Sequence, residues 1–341
     1  MSISAPAPSL PAGGGSQGGA LWARIARAQR SLPVAQVIAL AALYGVGAAT
    51  LQGFTTITSI KAILVLAALL GLASVGQTIV VLLGGLDLSI AGFISFADVM
   101  VSVLNGKGWG FVPAVLTVLA AAVLLGGVSG YICARFGLQP IVVTIAMGFI
   151  VTGVAQVEVS NFNIGSVPTW LQSFSSPIGR TFGISIPPVI VMWALVAIIV
   201  GVVLARTALG RRVYQTGANP AAAALALINT RRIWTCAFAF SAGGAAIVGV
   251  LSAGFTGSAD ATAGDPYLFS SLAAVIVGGT SIVGARGDYW RTVLGVLIIQ
   301  VLTTVLLGHG YGIGDQEILF GLAILVVVAA YGRDPRLRDR A

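Results

Sequence analysis

Long apolar runs alternate along this chain with short hydrophilic gaps. A helix needs ~17–25 mostly apolar residues to cross ~30 Å of hydrocarbon. Ten segments come near that length: 34–52, 62–84, 88–104, 112–134, 140–158, 187–205, 233–254, 269–284, 291–307 and 316–331. The pattern therefore predicts an all-α polytopic membrane protein with about ten transmembrane helices. The third and eighth segments are short and interrupted by glycine, as broken or re-entrant helices would be. Before the first run, residues 1–33 hold the Pro/Gly/Ser-rich "SAPAPSLPAGGGSQGGA" and the basic flank "RIARAQR". They read as a disordered cytoplasmic tail, because nothing in them can be buried. Residues 34–331 form the membrane domain, and 332–341 a basic cytoplasmic tail.

Composition supports this division. The chain is 57% hydrophobic and 8% charged, with a mean hydropathy of +1.00. Soluble domains carry about 25% charged residues, so a water-soluble globule is excluded. The net charge of +8 does not indicate a nucleic-acid partner, because the basic residues sit in gaps between spans and form no wet basic face. Their placement instead orients the helices. With both termini cytoplasmic and ten crossings, 15 of the 18 Lys/Arg fall on the cytoplasmic side, and only Lys61, Lys107 and Arg180 lie outside.

Two gaps are long. Residues 159–186 face outward in this topology. Residues 206–232, "RTALGRRVYQTGANPAAAALALINTRR", face the cytoplasm. There Asn219 is a suitable N-cap, Pro220 a suitable first residue, and the alanines favour a short helix over Asn219–Ile228. Such a helix, framed by arginine pairs, is either a docking element or a loop held at anionic headgroups.

Catalytic motifs are missing. No G-x-x-x-x-G-K-[ST] loop is present, and a single histidine, His309, rules out H-E-x-x-H zinc chemistry. "GIGD" at 312–315 matches an aspartyl intramembrane protease signature by chance, since it lies in an outer loop. Cys133 and Cys236 are too isolated for a metal or disulfide framework. No catalytic or metal-ligating set is assigned. Polar residues form stripes instead: Ser95, Asp98 and Ser102 on the third span with Ala91 and Gly92, Thr152 and Gln156 on the fifth with Thr144 and Gly148, and Gln300 and Thr303 on the ninth. Stripes of this kind either bond helices together or line a hydrated path, and the seven polar residues just named before Thr144 and Gly148 or after them are the candidate path. An aspartate within a span is a functional candidate by default, which singles out Asp98. Asp87, between Gly84–Gly85 and the next helix, reads as an architectural cap.

The stretches "GGLDLSIAG" and "VGGTSIVGARG" resemble permease subunits of ribose-type ABC importers, within the branched-chain amino acid/ribose permease superfamily. The first motif stands as Gly84, Gly85, Leu86, Asp87, Leu88 and Ser89. The second stands as Val277, Gly278, Gly279, Thr280, Ser281, Gly284 and Gly287. "LQPIVVTIAM" (138–147) and the loop "TGANPAAAALALINTRRI" resemble further segments of that family. The resemblance implies a type II importer architecture without enzymatic activity. A sugar or polyol would be received from a periplasmic or lipid-anchored solute-binding protein. Transport would be driven by a separate ABC ATPase that carries ATP and Mg, with no cofactor on this chain. A second permease copy or a sister permease would complete a dimer in the bacterial inner membrane. The ATPase would dock at Arg211, Arg212, Gly217, Asn219, Ala222, Ala223 and Ile228. The docking loop departs from the family at Pro220, Ala224, Ala226 and Leu227, and Asp98 stands where the family usually has a small residue. Alternatives are the same machinery importing branched-chain amino acids, or an ion-coupled secondary transporter with Asp98 as its coupling site.

Overall fold

A computed structural model describes residues 33–160 and 165–331; the tails read from the sequence at 1–33 and 332–341 lie, but for Pro33, outside the described residues. Among the described residues thirteen helices follow one another: α1 Val34–Thr50, α2 Ile57–Leu82, α3 Ile90–Gly106, α4 Phe111–Phe136, α5 Pro140–Ser160, α6 Thr169–Ser175, α7 Pro188–Arg206, α8 Ala208–Ala218, α9 Pro220–Leu225, α10 Thr230–Thr256, α11 Asp265–Gly278, α12 Tyr289–Gly308 and α13 Ile313–Tyr331. Among the described residues the only β pairings are isolated bridges, Ser166 with Ser258 and Thr181 with Ile184. Six helices among the described residues, α2, α4, α5, α7, α10 and α12, are long and apolar enough to cross a membrane; α1, α3 and α11 are shorter apolar helices.

Local chemistry sets the boundaries. The hydroxyl of Thr56 accepts from the Ser59 amide at the start of α2, and Asp288 accepts from the Arg291 amide at the start of α12. Proline opens α5, α7 and α9, where its missing N–H leaves no helix bond unmade. Each of the ten apolar segments falls on a helix. The eighth is shifted: α11 is only 14 residues long and stops at Gly278, because Gly279 turns the chain at φ +106°. The third begins at Ile90, two residues later than its apolar run, because the residues before it carry no helix.

Burial divides the bundle into a centre and a rim. In the most apolar stretches of α2 and α10, 83% and 72% of residues are buried, against 22% in α4 and 28% in α5. Helices here meet through small residues, as helices in lipid do. Gly126 and Gly130 of α4 lie against Phe238, Ala242 and Trp234 of α10, and Gly249 of α10 lies against Ile94 and Ala97 of α3. Tyr289, fully buried, ties three helices together. Its hydroxyl donates to the Gly71 carbonyl at 2.7 Å and accepts from Trp193 Nε1 at 3.1 Å.

Candidate functional site

A cavity of about 390 Å³ opens where the C-terminal end of α10, the 257–264 segment and the N-terminal end of α11 meet α2, α12 and α13. Its wall mixes apolar faces and hydrogen-bonding groups. Leu66, Leu69 and Leu70 come from α2, and Phe255, Phe269 and Phe320 add aromatic surface with Tyr267. Ser252, Ser270, Gln300, Thr303 and Gln316 add hydroxyls and amides; Asp260, Asp265 and Glu317 add carboxylates. Gln316 is 7% exposed and its Nε2 has no hydrogen-bond partner among the described residues. A buried amide without a partner forfeits about 1–3 kcal/mol, so it marks where a polar group of a solute or water can bind.

Of the polar stripes, that on the ninth segment reaches the cavity: Gln300 and Thr303 both line it. Ser95, Asp98 and Ser102 do not; they sit behind the wall, each buried at 1% exposure or less. Asp98 Oδ1 accepts from the Asp260 amide at 2.8 Å, and Ser95 Oγ accepts from the Gly264 amide at 3.0 Å. Ser102 Oγ donates to the Asp98 carbonyl. The stripe on α3 thus anchors the 257–264 segment, whose other side forms cavity wall. On α5, Thr144 Oγ1 accepts from the Leu88 amide, and Gly148 packs beside Leu88 and Ser89. Farther along that helix, Thr152 is half-buried and Gln156 is exposed, and neither lines the cavity. Sequence reasoning passed over Gln316, Asp260, Asp265 and Glu317. Their signal was weak: isolated carboxylates and an amide at span ends, without periodicity.

At the other end of the bundle the two glycine motifs meet. The Ala285 amide donates to the Leu82 carbonyl at 2.8 Å. Gly284 has φ +90°, and a Cβ there would lie 2.9 Å from the Gly84 nitrogen and 3.1 Å from the Leu82 oxygen; a left-handed backbone in so tight a place admits only glycine. The turn is closed by Ser281, which accepts from the Gly284 amide at 3.0 Å and donates its own amide to Arg286 at 2.9 Å. Gly278 faces the Arg291 carbonyl, Gly85 the Trp234 ring, and Gly287 the Thr280 side chain. Asp87, 2% exposed, accepts from the amide and hydroxyl of Ser89 and so shapes the approach to α3.

α8 completes this junction. Gly217 presses its backbone against the Leu82 carbonyl and the Ala285 nitrogen. Tyr214 donates its hydroxyl to the Gly287 carbonyl at 2.8 Å. Burial pushes the Tyr214 phenol up from its ordinary pKa, with the Asp288 carboxylate adding to the effect, so it stays a donor. The helix expected over 219–228 is shorter, ending at Leu225, because Leu227 turns left-handed at φ +60°. Its cap is as read: Asn219 Oδ1 accepts from the Ala221 and Ala222 amides, both at 3.0 Å. Arg211, Arg212, Asn219 and Ala222 are exposed, Ala223 is buried and Ile228 is half-buried. With Arg232, the two arginines and Ile228 line a surface groove of about 560 Å³. Gly217 belongs to the junction beneath that face.

Comparisons with known proteins place this architecture. The family described as "Branched-chain amino acid transport system / permease component" matches residues 59–329. The chain is 30% identical over 293 residues to the ribose import permease protein RbsC of Haemophilus influenzae, covering 86% of this chain and 91% of that protein. It is 32% identical over 269 residues to the fructose import permease protein FrcC of Rhizobium meliloti, covering 77% and 74%. It is 30% identical over 267 residues to the galactofuranose transporter permease protein YtfT of Escherichia coli, covering 77% and 76%. No solved structure matches the chain.

Proposed function

Because this chain belongs to the branched-chain amino acid transport system permease family, we propose that it is the membrane subunit of an ATP-driven importer for a sugar or related polyol. The observation that carries this reading is the cavity between α2 and α10–α13. Its volume lies within the roughly 300–1,000 Å³ of small-molecule sites. A sugar offers hydroxyls around its edge and C–H groups on its faces. The amides, hydroxyls and carboxylates of the wall can exchange hydrogen bonds with the first, and the phenylalanines can cover the second. Ribose, fructose and galactofuranose in the names of similar permeases point to the same solute class.

The chain is a multi-pass membrane protein of the bacterial inner membrane. In our reading ten helices cross, the termini and the junction end are cytoplasmic, and the cavity opens outward to a solute-binding protein. Arg206, Arg211, Arg212, Arg231, Arg232 and Arg286 gather at the junction end, as the positive-inside bias requires. A separate ABC ATPase, which holds ATP and Mg, docks on the exposed face of α8 and α9, and two permeases pair. Force then has a short route. Displacing α8 moves Gly217 and Tyr214 against the end of α2 and the 284–287 turn. That turn connects α11 to α12, and α2, α11 and α12 all line the cavity.

The test is affinity purification of this chain from its native membranes in mild detergent. We expect an ATPase and a solute-binding protein to travel with it, the latter binding a sugar when screened. Recovery of the chain alone, under conditions that preserve other importers, overturns the reading. A binding protein specific for branched-chain amino acids would keep the machinery and replace the solute, a second reading that rests on the family's description.

A further inference from the structure

The cavity wall is electrostatically one-sided. Asp260, Asp265 and Glu317 all line it, and no Lys, Arg or His does among the described residues. Asp265 and Glu317 are exposed, and Asp260 is half-buried with its Oδ1 fixed by the Thr262 amide at 2.8 Å and hydroxyl at 2.7 Å. No ion pair is formed by these three among the described residues. Beside them the Nε2 of buried Gln316 is an unused hydrogen-bond donor. Tyr267 and Phe320 also line the cavity, and aromatic rings suit C–H groups or a cation.

We infer that this cavity is a charge filter: it admits uncharged or cationic polyhydroxylated solutes, turns back anionic ones such as sugar phosphates and sugar acids, and owes that selectivity to Asp260, Asp265 and Glu317. The inference deepens the importer reading, since it rests on the cavity being the solute path. A cleft lined by one sign of charge with low-dielectric walls focuses its field, changing the local concentration of charged species by roughly 10- to 1,000-fold. An anionic solute meets that repulsion with no cation to offset it. A neutral sugar is unaffected, and its hydroxyls donate to the same carboxylates and accept from Gln316.

Thiol chemistry tests this without a known substrate. In a background where Cys133→Ala and Cys236→Ser remove the native thiols, Thr303→Cys places one thiol in the wall, and Ser270→Cys places another on a different helix. The purified full chain in detergent is treated with a cationic and an anionic methanethiosulfonate of similar size. Each rate is divided by that reagent's rate with a small free thiol. The cationic reagent is expected to be favoured at least tenfold. Asp260→Asn, Asp265→Asn and Glu317→Gln together are expected to abolish most of that preference; Asn at 260 keeps the acceptor that Thr262 uses. A preference that is missing, or unmoved by the three substitutions, overturns the filter. So does failure of both reagents to react at both positions, since the cavity would then be closed to solutes. An importer that carries its ATPase but treats both reagents alike loses only the filter. Discrimination in a chain that travels without an ATPase loses only the importer.

Discussion

Across 162 residues of chain, the carboxylate of Asp98 holds the backbone amide of Asp260 at 2.8 Å. Asp98 is fully buried in α3, whereas Asp260 faces the cavity. The first therefore acts on the cavity through the second. Asp98→Leu removes the acceptor and strands a part-buried peptide N–H, a loss of about 1–3 kcal/mol. Asp98→Asn keeps an oxygen in the same place. The Leu variant is expected to melt several degrees lower than the Asn variant and to import more slowly, with its ATPase still bound. Thermal unfolding in detergent and uptake into proteoliposomes measure the two effects. Equal melting of both variants would remove the tether from the account.

Gln316→Leu separates binding from stability. Its Nε2 makes no bond among the described residues, so an apolar replacement of similar size leaves the melting temperature unchanged or raises it. Uptake is expected to fall roughly five- to tenfold, the value of one hydrogen bond to the solute. A stable variant with full uptake would mean that the amide meets only water.

Gly217→Val aims at the junction. Any side chain there enters the Leu82 carbonyl, so α8 must move away from α2. The variant is expected to retain its ATPase, because the exposed face of α8 is untouched, yet to import little. Ala218→Val, at an exposed neighbour, serves as the control and should import normally. Co-purification and uptake, measured together, distinguish this from loss of docking.

Charge reversal at Arg211 and Arg212 addresses docking itself. Both side chains are exposed, so Arg211→Glu with Arg212→Glu should leave the unfolding free energy within about 0.5 kcal/mol of the parent. Recovery of the ATPase should fall severalfold, and more steeply as salt is raised. Undiminished recovery would limit the two arginines to orienting the chain in the membrane.

Tyr289→Phe deletes one oxygen that serves two partners, the Gly71 carbonyl and Trp193 Nε1. Two buried polar groups lose their bond, at about 1–3 kcal/mol, although bonds between helices in lipid average nearer 0.6 kcal/mol. A lowered unfolding temperature is expected, largest where α2, α7 and α12 separate. Fluorescence during heating, with the other five tryptophans replaced by phenylalanine so that Trp193 alone emits, reports that separation.

Much of this architecture is legible in the sequence, because lipid leaves a chain few choices. Apolar length located every long helix, and Asn219, Pro220 and the alanines after them announced α9. α8 escaped notice because "ALGRRVYQTGA" is short and polar enough to pass for loop. The stripe on α3 was visible, but periodicity tells only that residues share a face. It cannot tell whether that face meets water or, as with Ser95 and Gly264, another stretch of backbone. The cavity carboxylates are invisible to any periodic pattern, since Asp260, Asp265 and Glu317 come from a loop and two helix ends. The two glycine motifs stand out in the sequence, yet nothing local to either says that they touch.

That contact has a consequence for how the protein is made. The carbonyl of Leu82 closes α2, but the amide it accepts belongs to Ala285, and the glycine pressed against it is Gly217. About 200 residues must be synthesised between the oxygen and its partner, roughly 10–40 s at the usual 5–20 residues per second. Throughout that interval the end of α2 is an unfinished socket. The bundle therefore locks late, when α11 and α12 arrive, and a nascent chain arrested before Gly284 is left with this closure unmade, however well its earlier helices have inserted.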